Sequence, residues 1–192
     1  MTGSSIHESH ALGPVYVVCA KFDPSVGYEW ERYVEWAGLR HLSEVVTLDS
    51  MLCERSPEDF IDEDWPYVVN ENFMLDYVLD LDYLLKRAGP LENKSLLCAF
   101  RNPPRPPEVP PSPYKFSLLG YDVVDVTSQI SATLNCGGFP DVFSASDLNA
   151  YGLVGSLQVA QEIQRALLQK YESRENTEHT QTNVWAIFRA AL

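Results

Sequence analysis

Apolar residues are arranged along the chain in two ways. Val15-Tyr16-Val17-Val18-Cys19-Ala20, Leu96-Leu97-Cys98-Ala99-Phe100 and Val184-Trp185-Ala186-Ile187-Phe188 are short, unbroken runs rich in β-branched and aromatic residues. Such runs, without polar alternation, predict strands covered on both faces of a sheet. The expected core strands are therefore 15–22, 94–101 and 184–189, with 116–126 a fourth and 130–134 a shorter companion. Gly137-Gly138 offers a hairpin turn after that last segment, and Pro140 confines the returning arm to an edge. Glu44-Val45-Val46-Thr47-Leu48 also has strand composition, although Leu39, Leu42 and Val46 fit a helical face equally well.

The second arrangement recurs at steps of three and four. Trp30, Tyr33, Val34 and Ala37 predict a helix over 26–38, with Gly38 as its cap. Ser56-Pro57-Glu58-Asp59 reads as a helix start. Trp65, Val69, Phe73, Tyr77, Leu81, Leu84 and Ala88 predict a long helix over 65–88, which Gly89-Pro90 stops. Ser156 opens another, reaching Tyr171, with Val159, Ala160, Ile163 and Leu167 inward.

Strands and helices mix without strict alternation, which predicts one α+β domain: a mixed sheet of about five strands with two or three packed helices. Residues 1–13 form a polar, mobile lead, and 14–192 the domain. Within it, 102–114 is a loop stiffened by seven prolines between Pro103 and Pro113. Its Pro104/Pro107 and Pro107/Pro110 spacing around Arg105 also matches ligands of aromatic peptide-binding grooves. More often such a stretch is only a stiff connector.

Charge narrows the function classes. Fourteen basic residues against 27 acidic give −13 over 192 residues. Nucleic acid and anionic membranes call for a cationic footprint, so neither is an expected partner. No apolar run approaches the ~20 residues of a membrane helix. Met1 to His10 carries no Lys or Arg and no apolar stretch resembling a secretory signal. With Cys19, Cys53, Cys98 and Cys136 widely spaced, reduced thiols in a cytoplasmic protein are the expectation, without structural zinc.

Fingerprints of nucleotide binding, zinc proteases and serine hydrolases are missing, and no cofactor or metal is expected. Asp80 and Asp82, two apart on a predicted helix, point away from each other. Asp122 and Asp125, three apart on a predicted strand, face opposite sides of the sheet. Cys136, beside Gly137-Gly138, is the candidate nucleophile if the fold brings His41 or His179 to it; otherwise it is a small apolar residue at a turn. Lys21, Arg101 and Arg189 each sit at the end of a predicted central strand. They form a candidate anion pocket if those ends are neighbours.

Ser56 to Leu85 is the least ordinary stretch. Glu58, Asp59, Asp62, Glu63, Asp64, Glu71, Asp76, Asp80 and Asp82 fall within it, and it holds no Lys or Arg. On a helix, Asn72, Asp76 and Asp80 would share a face at steps of four, where like charges repel. The leading expectation is accordingly a binding protein whose Asp62, Glu63, Asp64, Asn72, Asp76 and Asp80 dock on a basic partner. An immunity-type inhibitor of a cationic toxin or nuclease fits that description. The alternative is a small enzyme that uses Cys136 on an anionic substrate.

Overall fold

In the computed structural model, which describes residues 11–20, 37–49, 55–56, 66–71, 75–134, 141–176 and 178–192, the three unbroken apolar runs lie side by side as strands. The elements are β1 (Leu12–Ala20), β2 (Arg55–Ser56), β3 (Val68–Glu71), β4 (Leu75–Val78), α1 (Leu81–Ala88), β5 (Lys94–Arg101), β6 (Phe116–Asp125), α2 (Leu157–Glu172) and β7 (Thr182–Ala190). The sheet order is β3-β4-β1-β5-β7-β6, and β2 pairs β1 beside β4. Every ladder between the described strands is antiparallel, so the α+β class holds while the sheet is not mixed. Unbroken apolar runs report burial on two faces, not strand direction.

Side chains alternate between those faces. Tyr16, Val18, Leu96, Cys98, Val184, Ala186 and Phe188 join Leu84 and Ala88 of α1 and Ala160, Ile163 and Leu167 of α2 in the larger core. Val15, Val17, Leu97, Ala99, Trp185 and Ile187 belong to a second cluster on the other face, with Val46, Leu48, Tyr77 and Leu153. The α2 stripe packs as its spacing predicts, and Ser156 is its N-cap residue.

The expected helix over 65–88 is not formed. Its first part is the β3–β4 hairpin, with Val69 opposite Tyr77 and Asn70 opposite Asp76. Among the described residues of that range only Leu81–Ala88 is α-helical, and Gly89, at φ 65, ends it as expected. Adjacent Val68-Val69 favours extended backbone. Val69 and Tyr77, which the spacing places on one helix face, instead stand opposite each other on two strands.

Smaller departures have equally local causes. Residues 130–134 are no strand: Ser131 makes a single bridge to Val124, and the following residues turn. Val45 to Leu48 is buried but joins no ladder; the Val46 N–H instead donates to the Tyr151 carbonyl at 3.0 Å. Ser56 sits in β2 rather than on a helix start. Most of 26–38 and the Gly137-Gly138 turn lie outside the described residues.

Gly120, in a β6 irregularity between Leu118 and Gly120, has φ +151. A Cβ there would lie 2.8 Å from Leu153 Cβ and 2.9 Å from the Val154 carbonyl. Only glycine lets 149–154 press this closely on β6. The proline stretch runs mostly exposed, anchored by buried Pro103 and partly buried Val109 and Tyr114.

Candidate functional site

Of the acidic stretch, Glu71, Asp76, Asp80 and Asp82 fall among the described residues, and they belong to β3, β4 and the start of α1 rather than to one helix face. Asp80 stands between β4 and α1 with extended backbone (φ −109, ψ 116), and its Oδ1 accepts the Tyr83 N–H at 2.8 Å. It is the N-cap of α1, and Asp82 in the first turn faces the same positive helix end. Asp76 lies in β4 opposite Asn70. Asp76 and Asp80 therefore share no helix face, and the i, i+4 repulsion expected between them does not arise. Asp62, Glu63, Asp64 and Asn72 lie outside the described residues.

Aromatic surface accompanies these acids. Tyr67, just before β3, is 39% exposed and stacks on Tyr83 of α1 with ring centroids 4.1 Å apart. Leu79 is 45% exposed, and its N–H donates to the Tyr67 carbonyl at 2.8 Å. Tyr67, Leu79 and Tyr83 thus make an apolar shelf beside exposed Asp80 and Asp82. Composition alone could not place it, because the stack joins residues 16 apart across a hairpin that the spacing disguised.

Because Asp80 caps α1, its substitutions should separate charge from capping. Asp80→Ala is expected to lower stability by about 1 kcal/mol, within the usual 0.5–2 for a lost N-cap, whereas Asp80→Asn should stay close to wild type. Urea unfolding midpoints of the two variants check this. Equal loss in both would mean the carboxylate charge, rather than the cap, holds the segment.

A second group of polar side chains is entirely internal. Asp122, pointing from β6 to the Trp185 face, is 0% exposed. One oxygen accepts the Thr47 hydroxyl at 2.5 Å and the Leu48 N–H at 3.2 Å, and the other accepts the Ser131 hydroxyl at 2.6 Å. The Ser131 N–H donates to buried Asp49 at 2.9 Å, and the Asp49 N–H donates to the Thr47 hydroxyl oxygen at 2.9 Å. Burial pushes the Asp122 carboxyl above the ordinary carboxylate range and Asp49 adds to this, against the opposing pull of the three hydrogen bonds. The network ties 47–49 and 131 to β6. The spacing of Asp122 and Asp125 gives no hint of this network, because Thr47 is 75 positions away.

The candidate anion pocket does not assemble from the residues described. Arg101 pairs with Trp185 while Arg189 pairs with Leu97, placing the two arginines four positions apart, roughly 13 Å along the strands. Arg189 donates to Glu44 at 2.6 Å and lies over the Tyr151 ring at 5.1 Å, and Arg101 lies 5.8 Å from the Trp185 ring. Lys21 lies outside the described residues. Antiparallel neighbours send their ends to opposite margins.

Cys136 also lies outside the described residues. The His41 Nε2 is 3.0 Å from the Leu148 carbonyl, and the His179 Nδ1 is 3.0 Å from the Ser128 hydroxyl, which donates to Asp125 at 2.9 Å. This is not a nucleophilic triad, since the serine, not the histidine, stands in the middle. Cys98 is buried and its thiol is pushed up to about 12 by desolvation, leaving it inert as a nucleophile near neutral pH. The proline stretch helps wall a cleft of about 550 Å³ together with Leu12, Phe100 and Arg101.

No group of three or more His, Cys, Asp or Glu able to hold a metal occurs among the described residues, and no helix there is long and apolar enough to cross a membrane. Comparison with protein-family models, curated proteins and solved structures finds no match for this chain.

Proposed function

We propose that this chain is an acidic docking protein that binds a basic partner protein through the end of the sheet formed by β3, β4 and α1. The observation that carries the reading is a coincidence of two properties there. The stretch from Ser56 to Leu85, acidic and without Lys or Arg, brings exposed Asp80 and Asp82 beside exposed Tyr67 and Leu79 and half-buried Tyr83. Tyrosine supplies contact area at little entropic expense, and single-sign charge steers an opposite surface into place. Beside them Asp80 and Asp82 have a local role at the α1 N-terminus, while the net charge of −13 supplies the longer-range field. Neutralisation of a cationic toxin or nuclease in the cytoplasm is the form of docking this chemistry fits best.

An affinity pull-down with the full chain at low and high ionic strength tests the proposal. A basic protein recovered at low salt, released at high salt and missed by the Tyr67→Ala/Leu79→Ala variant is the expected result. A partner held irrespective of salt and of that variant would contradict it.

A further inference from the structure

The shelf sets an aromatic surface beside carboxylates that no cation of the chain engages. Tyr67 and Tyr83 stack with ring planes 12° apart, which occupies one face of the Tyr67 ring. Among the described residues Tyr67 makes no other ring contact, and it stays 39% exposed, so its surface toward solvent lies on the side away from Tyr83. The Leu79 N–H donates to the Tyr67 carbonyl at 2.8 Å, and exposed Asp80 is the next residue. Through Oδ1, Asp80 accepts the Tyr83 N–H, which brings its carboxylate to the turn that carries the second ring. Among the described residues neither Asp80 nor Asp82 has an ion-pair partner, and the cations of α1, Lys86 and Arg87, belong to its last turn.

A ring face bordered by a carboxylate discriminates between cations in a way that net charge does not. Both lysine and arginine are drawn to the ring quadrupole. A lysine ammonium is a compact, strongly hydrated point charge. An arginine guanidinium is flat and weakly hydrated, so it can lie on a ring while its edge N–H groups donate to a carboxylate. The protein already holds one such arrangement internally: Arg189 lies over the Tyr151 ring at 5.1 Å and donates to Glu44 at 2.6 Å.

We infer that the Tyr67–Tyr83 stack selects arginine on the basic partner, with a guanidinium lying on the solvent side of Tyr67 and its edge donating to Asp80. This rests on the docking reading above and specifies the side chain that is recognised. Charge complementarity commits the occupant to a cation, and the stacked ring commits the cation to a planar one. Asp80 keeps its capping bond through Oδ1 and offers Oδ2, which has no hydrogen bond among the described residues. Leu79, 45% exposed, provides apolar contact for the methylene stem of the arginine.

The test uses three fluorescent peptides of equal length, alternating glycine with arginine, lysine or glutamate, read by anisotropy on the full chain at low salt. Tyr67→Leu keeps apolar bulk without the ring, and Tyr67→Phe keeps the ring without the hydroxyl. The expected result is that the arginine peptide binds about fivefold more tightly than the lysine peptide, and that the glutamate peptide does not bind. Tyr67→Phe should retain that preference, and Tyr67→Leu, at a wild-type unfolding midpoint, should lose it. Equal binding of the arginine and lysine peptides to wild-type protein would overturn arginine selection and leave docking by charge intact, a comparison that stands even if the leucine variant does not fold. An undiminished arginine preference in a normally folded Tyr67→Leu variant would overturn it as well. Failure of both cationic peptides to bind, or equal binding of the glutamate peptide, would overturn the docking reading itself.

Discussion

Asp122→Ala is expected to lower the unfolding free energy by about 2–4 kcal/mol, while Asp122→Asn stays within about 1 kcal/mol of wild type at neutral pH. The alanine removes the acceptor for three donors at a site with 0% exposure. Hydroxyls of Thr47 and Ser131 can turn elsewhere, but the Leu48 N–H cannot, and stranding a buried donor costs about 1–3 kcal/mol. Asparagine has a way to keep the network. Its carbonyl oxygen takes the Thr47 and Leu48 bonds, and its amide donates to a reoriented Ser131 hydroxyl.

The same pair of variants separates charge from hydrogen bonding through pH. Burial raises the folded-state pKa of Asp122, so the unfolded chain ionises first as pH rises. This carboxyl's contribution to stability is then fully present below its unfolded pKa of about 3.9 and is lost as pH climbs through the raised folded value. Asp122→Asn should remove that part of the pH dependence, so the wild-type and variant curves converge at low pH and separate above it in the variant's favour. Chemical denaturation from acid to neutral pH measures this. An asparagine variant as damaged as the alanine would show instead that the buried charge itself is needed.

Leu97→Ala should be comparably severe, at about 2–5 kcal/mol, the range for emptying a packed leucine site. Leu97 is 0% exposed, lies in β5 at the centre of the sheet, and pairs with Val17 on one side and Arg189 on the other. For a chain of this size the corresponding fall in Tm is roughly 10 °C. Leu118→Ala, at a site 42% exposed on β6, serves as the control and should change stability by no more than about 0.5 kcal/mol. Similar losses at both positions would contradict the placement of β5 in the middle of the sheet.

Elements whose local pattern matched their surroundings were legible in advance. β1, β5 and β7 announce themselves because a strand covered on two faces leaves no position for polar residues, as Val15 to Ala20 and Val184 to Phe188 illustrate. α2 was equally plain, because Ala160, Ile163 and Leu167 keep helical spacing beneath a polar outer face. The hairpin over 68–78 was hidden by its own apolar spacing. Tyr77 and Val78 are both buried, on opposite faces, so the alternation that marks a half-exposed strand is lost. The capping Asp80 carried the correct signal for where the helix begins. The Asp122 network was not readable at all, since Thr47, Asp49 and Ser131 become neighbours only once β6 is in place.

The candidate surface was half legible. Its charge is a property of composition and can be counted, whereas the Tyr67–Tyr83 stack depends on the hairpin folding α1 back beside it. Docking through this surface is tested most directly by the association rate constant for the captured basic partner, measured against ionic strength for wild type and for Asp80→Asn/Asp82→Asn. Asparagine preserves the α1 cap, so the variant's unfolding midpoint should match wild type. Its association should be several-fold slower at low salt, and the two rates should merge as the screening length drops below about 10 Å. Identical rates and identical salt dependence in a normally folded variant would contradict docking at this end of the sheet.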